Sequence, residues 1–165
     1  GTQKKADFID WSAKEKHEQQ VVTDYILECL HEEVLTLKVA EPTTVEAGEL
    51  VHLKTTITGN VYSDENIKTI LNQLNPTPAV CGFPKESALE FILKNENYDR
   101  EFYTGYLGLW DTTTSTANLF VNLRCMKIME GKAIIYVGCG ITADSNPEKE
   151  FFETEHKSMT MRTIL

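Results

Sequence analysis

The amino-acid sequence predicts an α+β fold in which α-helices cover an antiparallel β-sheet. Helical periodicity marks the start and the end of the chain, whereas three segments of its second half have the apolar and β-branched character of strands. Only Glu130 and Gly131 separate the last two of these segments, which predicts a tight hairpin. Because hairpins join antiparallel neighbours, the predicted sheet is antiparallel and the helices lie on it.

A long helix is predicted at the beginning of the chain, over residues 12–37. Ser12 and Glu15 have the spacing of a capping box, in which each side chain hydrogen-bonds to the backbone of the other residue. The apolar residues that follow recur at intervals of three and four, as expected on one face of a helix. Glu41 and Pro42 are expected to end it.

The middle of the chain predicts one strand and two short helices. Residues 50–58 alternate in the manner of a strand, and His52 falls on the face opposite the apolar residues. An amphipathic helix is predicted over residues 67–74. A second one is expected to begin at Pro84, since proline is well suited to the first turn of a helix.

The second half is predicted to contain three strands and a final helix. The helix is expected to begin at Asn146 and Pro147, with either Ser145 or Asn146 as its cap. The three predicted strands cover residues 103–110, 118–129 and 132–142.

Composition excludes several classes of protein. The chain has 165 residues, 41% of them hydrophobic, which suits one domain with a sizeable core. Its net charge of −9 argues against nucleic acid or an anionic membrane as a partner. The longest uncharged stretch, residues 69–84, is too short to span a bilayer, so a cytoplasmic location is expected. The four cysteines lie far apart and predict neither a disulfide framework nor a zinc site.

The predicted final helix carries the clearest chemical signal. Glu150, Glu153 and Lys157 are spaced by three and four residues and therefore share one helical face. A divalent metal ion together with an anionic substrate would satisfy all three groups. The alternative is a solvated acidic face on which Glu153 and Lys157 merely stabilise the helix.

Four other residues admit both a functional and an ordinary structural interpretation. Arg124 has the planar guanidinium that binds a carboxylate through two hydrogen bonds, or it is a solvent-facing arginine. Gly138 can bring a backbone N–H close to an anion, although a lone Gly-x-Gly is weak evidence. Glu18 is either a ligand or a half-exposed carboxylate near a helix N-terminus. His52 is either an active-site residue or a half-buried histidine.

Six segments of the chain, in order, carry a family resemblance: residues 12–18, His52-Leu53 with Gly59, residues 76–84, residues 98–103, Arg124, and residues 138–157. Together they resemble the C-terminal half of the chorismate-utilising enzymes, and within them the isochorismate synthases. The Pro-rich run of residues 76–84, with Ala79, resembles the isochorismate synthases more than the other branches of that superfamily.

This resemblance implies the fold and the extent of the domain. The chain, residues 1–165, would be the C-terminal portion of a chorismate-binding domain with the αββα fold of anthranilate synthase component I, and the N-terminal half would be absent. That missing half is then a partner of this chain. A face left uncovered by its absence is expected to be apolar or buried in a non-native dimer.

The resemblance also implies roles for individual residues. Glu18 and Glu153 would bind Mg²⁺ with the help of Glu150, and His52 would be an active-site histidine. In the family a lysine acts as general base on water and a glutamate as general acid on the leaving hydroxyl, and both would lie in the absent half. The residues expected to bind the substrate are Ala79, Tyr103, Arg124, Gly138 and Lys157.

The function implied is Mg²⁺-dependent isomerisation of chorismate to isochorismate, which feeds menaquinone or siderophore synthesis. Two alternatives stay open at this point. One is a salicylate, anthranilate or aminodeoxychorismate synthase, which shares the fold and the metal site. The other is a truncated, non-catalytic module that holds chorismate or a partner. In either catalytic case the chain alone is expected to be inactive.

Overall fold

The computed structural model of the chain describes residues 2–165 and confirms an α+β fold. The chain divides between Lys85 and Glu86 into two units. The elements of the first unit are β1 (Thr2–Lys4), α1 (Ala13–Leu30), β2 (Val34–Val39), β3 (Thr43–Ala47), β4 (Leu50–Lys54), β5 (Ile57–Val61), α2 (Asp64–Leu74) and α3 (Pro78–Cys81). The second unit contains α4 (Lys85–Asn95) apart from its first residue, β6 (Tyr106–Asp111), β7 (Thr116–Val121), β8 (Cys125–Met129), β9 (Lys132–Tyr136) and α5 (Pro147–Arg162).

All strand pairs in the described residues are antiparallel, as predicted, but they form several small sheets. One sheet has the order β1-β4-β3, and the others are the pairs β2-β5, β6-β7 and β8-β9. In the first unit α1 packs against α2 and α3, and α2 contacts β5. In the second unit α5 contacts β9.

Helix α1 begins where the capping box predicts. The backbone N–H of Glu15 donates to the Ser12 hydroxyl at 3.2 Å, and the N–H of Ser12 donates to the Glu15 carboxylate at 2.9 Å. The predicted extension to residue 37 is wrong, because the helix ends at Leu30. The segment after it, Val34–Val39, pairs with β5 as a strand, and its β-branched residues suit that conformation.

The single strand predicted over residues 50–58 is divided between two sheets. β4 is the central strand of the three-stranded sheet, whereas β5 pairs with β2. At Gly59 the strands approach so closely that a Cβ atom would lie 2.8 Å from the carbonyl oxygen of Thr36. Glycine is therefore required for this strand pair to close.

The strand predicted over residues 118–129 is also divided, at Arg124. Its first part pairs with β6 and its second part pairs with β9. Arg124 has a φ of 48°, in the left-handed region that side chains disfavour. The Glu130-Gly131 hairpin is confirmed, and Gly131 takes the positive φ that this turn needs.

Helix α5 begins at Pro147, and its cap is Asn146. The Asn146 side chain accepts a hydrogen bond from the backbone N–H of Lys149 at 3.1 Å. Proline follows at the first helical position, where its missing N–H costs no hydrogen bond. The acidic residues of the first turn, Glu148 and Glu150, lie near the positive end of the helix dipole.

Candidate functional site

Helix α5 and the segment after β9 form a polar cluster in the second unit. The Lys157 ammonium donates to the carbonyl oxygen of Gly138 at 3.0 Å. It also forms an ion pair with Glu153, one helical turn earlier, at 2.6 Å. The Lys157 side chain is 27% exposed and that of Glu153 is 49% exposed, so both can still reach solvent or a ligand.

Tyr103 belongs to the same cluster. Its side chain is buried, and a Cβ atom built on Gly138 would lie 2.8 Å from the Tyr103 hydroxyl oxygen. Only glycine at position 138 lets the Tyr103 hydroxyl come this close to the backbone, because any other residue would displace the ring or the backbone. The phenol of Tyr103 and the ammonium of Lys157 thus lie beside one glycine.

Burial raises the pKa of the Tyr103 phenol, and the neighbouring Tyr98 raises it further, although the Arg100 guanidinium opposes the change. The phenol therefore stays protonated at neutral pH and can donate a hydrogen bond. Together with the ammonium of Lys157, it makes this surface suitable for a carboxylate.

Glu150 is the most deeply buried acidic residue described, at 8% exposure. It lines a cavity of about 390 Å³ whose wall also includes Cys139 and Phe151. Burial raises the pKa of the Cys139 thiol, and the negative charges of Glu150 and Glu153 raise it further. The Lys157 ammonium opposes part of this change, but the two carboxylates outweigh it and would attract a cation.

The carboxylates on α5 are of the chemical kind that Mg²⁺ prefers, and the complete predicted set of ligands is divided between the two units. Glu150 and Glu153 are three residues apart on one helix and offer the carboxylate oxygens that Mg²⁺ prefers. Glu18 lies on α1 in the first unit, where Lys14 is 3.8 Å from its carboxylate. Within residues 2–165 no group of three or more His, Cys, Asp or Glu side chains is arranged to hold a metal ion. The three-carboxylate metal site stays a prediction.

Arg124 lies in the link between β7 and β8. In the part of the chain that the structure describes, no carboxylate lies within ion-pair distance of its guanidinium. Its neighbour Cys125 is paired with Tyr136 in the β8-β9 ladder, and the Tyr136 ring stacks on Tyr103. The backbone at Arg124 therefore adjoins the aromatic side of the cluster. A positive φ at a residue other than glycine costs about 1–2 kcal/mol and is typical of functional positions.

The remaining predicted residues, His52 and Ala79, lie in the first unit. His52 is half-buried at the centre of β4, and its Nδ1 atom is 3.0 Å from the hydroxyl of Thr2. Ala79 is exposed on the short helix α3, between the buried residues Pro78 and Cys81. The roles assigned to both by resemblance stay predictions.

The sequence did not point to two residues that the structure places beside Tyr103. The ring of Tyr136 stacks on that of Tyr103 with centroids 5.5 Å apart, and the Arg100 guanidinium carbon lies 5.7 Å from the centroid of the same ring. Arg100 is within the segment 98–103 that carries part of the family resemblance, which is the one signal available. Stacking between residues 33 positions apart leaves no local pattern in the sequence.

Comparison with known proteins identifies the family. Residues 3–165 match the family described as "Chorismate binding enzyme". Isochorismate synthase EntC of Escherichia coli K12 is 35% identical over 154 residues, which are 93% of this chain and 39% of that protein. Isochorismate synthase DhbC of Bacillus subtilis is 37% identical over 162 residues, which are 96% of this chain and 40% of that protein. The chain thus spans about two fifths of these relatives.

Solved structures agree in fold. The menaquinone-specific isochorismate synthase MenF of Escherichia coli superposes with a TM-score of 0.83 at 32% identity, covering 93% of this chain and 35% of the other. A structure described as a 2,3-dihydroxybenzoate-specific isochorismate synthase, DhbC of Bacillus anthracis, superposes with a TM-score of 0.79 at 32% identity. That alignment covers 98% of this chain and 46% of the other.

Proposed function

Because the chain belongs to the chorismate-binding enzyme family, we propose that it is the C-terminal portion of a Mg²⁺-dependent isochorismate synthase. The reaction isomerises chorismate: water adds at one ring carbon and gives up a proton, while the hydroxyl on another ring carbon takes up a proton and leaves as water. The named relatives that support this choice are isochorismate synthases. The Pro-rich segment that contains Ala79 also resembles those enzymes.

The observation that carries the proposal is the contact of Lys157, Gly138 and Tyr103. These groups come from α5, from the loop after β9 and from the loop before β6, and the ammonium and the phenol both lie beside one glycine. An ammonium and a neutral phenol are both hydrogen-bond donors, which suits a carboxylate ligand. Chorismate carries two carboxylates, and Arg124 is the proposed partner of one of them.

Glu150 and Glu153 would hold Mg²⁺, with Glu18 as a further ligand. When bound, the ion would screen the negative charge of these carboxylates and bind a carboxylate of the substrate. Lys157 has a separate role, because its ammonium is already paired with Glu153 and reaches the backbone of Gly138. It would orient the substrate beside the ion and balance the acidic charge of α5.

The residues of this chain bind and orient, and proton transfer needs groups from elsewhere in the proposed full-length enzyme. By analogy with the family that this chain resembles, the proposed base is a lysine and the proposed acid a glutamate, both from the other half of the protein. Positioned proton transfer accounts for roughly 10²–10⁴-fold of the rate at each group. The full-length enzyme, and not this chain, is therefore the proposed catalyst.

Product analysis of the full-length enzyme tests the proposal. Purified protein is incubated with chorismate and Mg²⁺, with and without ammonium, and the products are separated by chromatography. We expect isochorismate in both reactions and none when the metal is removed by a chelator. Salicylate, or an aminated product formed only with ammonium, would assign the protein to another branch of the family. Binding of chorismate without any product would favour a non-catalytic module.

A further inference from the structure

The loop that presents Tyr103 has an unusual backbone. Glu101 has a φ of 48° and Thr104 a φ of 66°, so two residues with side chains adopt the left-handed conformation within four positions. The left-handed conformation is uncommon in residues other than glycine, and it is kept only where surrounding contacts hold the backbone in place. Tyr103 lies between them, so the contacts that fix this loop also fix the position of its ring.

Arg100 joins the start of this loop to its end. Its Nε atom donates to Glu96 at 2.7 Å, a second guanidinium nitrogen donates to the other oxygen of the same carboxylate, and Nη1 is 3.4 Å from the Thr104 hydroxyl. The Arg100 and Glu96 side chains are only 22% and 28% exposed, so water competes weakly for this ion pair. Asn122 closes the same loop, because its side chain donates to the carbonyl of Phe102 at 2.8 Å.

The guanidinium of Arg100 also lies against the Tyr103 ring. Its central carbon is 5.7 Å from the ring centroid, within the range of a cation–π contact. Tyr136 stacks on the same ring with an interplanar angle of 24°. The contacts with Arg100 and Tyr136 restrict the Tyr103 ring in a position where its hydroxyl lies beside Gly138.

We infer that Arg100 is a positioning residue for substrate binding: by bridging Glu96 and Thr104 and contacting the Tyr103 ring, it holds the Tyr103 hydroxyl at Gly138, where a substrate carboxylate binds. This inference rests on the proposed function. The role proposed for Arg100 is positioning and not catalysis, and its hydrogen bonds to Glu96 and Thr104 are the contacts that support it. Its effect on chorismate passes through Tyr103.

Kinetics of the full-length enzyme provide the first test. Replacement of Tyr103 by Phe removes the hydroxyl and should raise the KM for chorismate about tenfold, the effect typical of losing a hydrogen bond to a charged group. Arg100→Gln should raise KM by a similar factor with a smaller change in kcat. Arg100→Lys keeps the charge but loses the two parallel hydrogen bonds of the guanidinium. Its KM should lie between those of Arg100→Gln and the unmodified enzyme.

A double-mutant cycle separates positioning from a general loss of structure. If Arg100 acts through the Tyr103 hydroxyl, the double variant with Arg100→Gln and Tyr103→Phe should be no worse in KM than either single variant. Arg162→Gln is the matched control, because Arg162 is an arginine of the same unit that pairs with a glutamate, Glu155. It should leave KM unchanged. Multiplicative effects of the two substitutions would overturn the inference.

A measurement without substrate distinguishes failure of this inference from failure of the proposed function. With tyrosine labelled by ¹³C at Cζ, the resonance of Tyr103 should shift in Arg100→Gln and stay in place in Arg162→Gln. An unchanged Tyr103 resonance in Arg100→Gln overturns the positioning role, whatever the activity. If the resonance shifts as expected but the enzyme neither binds nor converts chorismate, the effect of Arg100 on the ring is supported. The proposed function is then the part that is overturned.

Discussion

Gly138 is the residue on which the candidate site depends most closely. Its carbonyl accepts a hydrogen bond from Lys157, and the position where a Cβ would be is within 2.8 Å of the Tyr103 hydroxyl. The two donors proposed for a substrate carboxylate therefore meet at a residue that cannot carry a side chain without displacing one of them.

Replacement of Gly138 by Ala should weaken chorismate binding in the full-length enzyme about tenfold. The added methyl group must push aside the Tyr103 ring or the backbone, so the phenol would no longer lie where it does. Gly140→Ala is the matched control, because a Cβ there meets no atom within 4 Å. Equal affinities of the two variants, measured by isothermal titration calorimetry, would contradict the role of Gly138.

Arg124 combines backbone strain with the proposed capture of a carboxylate. Arg124→Gly removes the side chain and relieves the left-handed strain, whereas Arg124→Ala removes the side chain but keeps the strain. The Gly variant should therefore be more stable than the Ala variant by about 1 kcal/mol, as measured by urea unfolding. Both should lose a few kcal/mol of transition-state stabilisation in kcat/KM. Unchanged kcat/KM in either variant would argue against carboxylate binding by Arg124.

Helix α1 shows how a local signal fixes one end of an element. Burial by itself would raise the pKa of Glu15, but hydrogen bonds from the backbone and hydroxyl of Ser12 and from Gln3 lower it below its ordinary value. A carboxylate whose pKa is lowered in the folded state stabilises the fold at pH values above the pKa that it has in the unfolded chain. That contribution is lost as the pH falls through the folded pKa.

Ser12→Ala should lower the free energy of unfolding by about 1 kcal/mol at neutral pH. The difference from the unmodified chain should shrink in acid, because protonated Glu15 no longer contributes its half of the capping box. Thr77→Ala is the control: Thr77 is the cap residue of α3 but makes no side-chain capping hydrogen bond, and no acidic residue lies in the first turn of that helix. Urea unfolding at neutral and acidic pH measures both. A pH-independent effect of Ser12→Ala would contradict this account of the cap.

Helices were predicted more accurately than strands because their signals are local. The capping box of α1, the amphipathic pattern of α2 and the Asn-Pro start of α5 each lie within a few residues. Strand limits depend on distant partners. The predicted strand 118–129 breaks at Arg124 because its two parts pair with different strands, and β1 was missed because its partner β4 is distant in sequence. β3 was missed although only Gly48 and Glu49 separate it from its partner β4.

The candidate site shows the same difference between features with a local sequence signal and features that depend on distant residues. Helical spacing predicted the shared face of Glu150, Glu153 and Lys157, and the family resemblance singled out Tyr103 and Gly138. Sequence could not reveal the stacking of Tyr136 on Tyr103, since Tyr136 belongs to β9 and Tyr103 to the loop before β6. The proposed roles of all these residues stay predictions until chorismate binding is measured.

At the scale of the molecule, the second unit exposes a large apolar surface on the hairpin formed by β6 and β7. Leu107 and Phe120 are directly opposite each other in the ladder, and Leu109 lies two residues further along the same face. Their exposures are 55%, 68% and 82%. Apolar surface of this kind is typical of a face that another chain or segment covers.

Among residues 2–165 no helix is long and apolar enough to cross a membrane.

The isolated 165-residue chain should therefore self-associate at micromolar concentrations, as analytical ultracentrifugation would detect. Lysine in place of Leu109 or Phe120 should shift it towards the monomer, because a charge on this face opposes its burial. Ile141→Lys is the control, since Ile141 is 72% exposed but lies outside the hairpin. A chain that is monomeric without any substitution would contradict the proposal that this face is normally covered.

The central claim is that this chain supplies the residues that hold substrate and metal, and that the rest of the enzyme supplies the proton-transfer groups. The most direct test is an assay of the purified chain with chorismate and Mg²⁺, first alone and then mixed with the separately produced remainder of the enzyme. The account predicts no isochorismate from the chain alone and formation of isochorismate in the mixture. Isochorismate produced by the chain alone would contradict it, and a general base and acid would then have to be found among its own residues, beginning with His52.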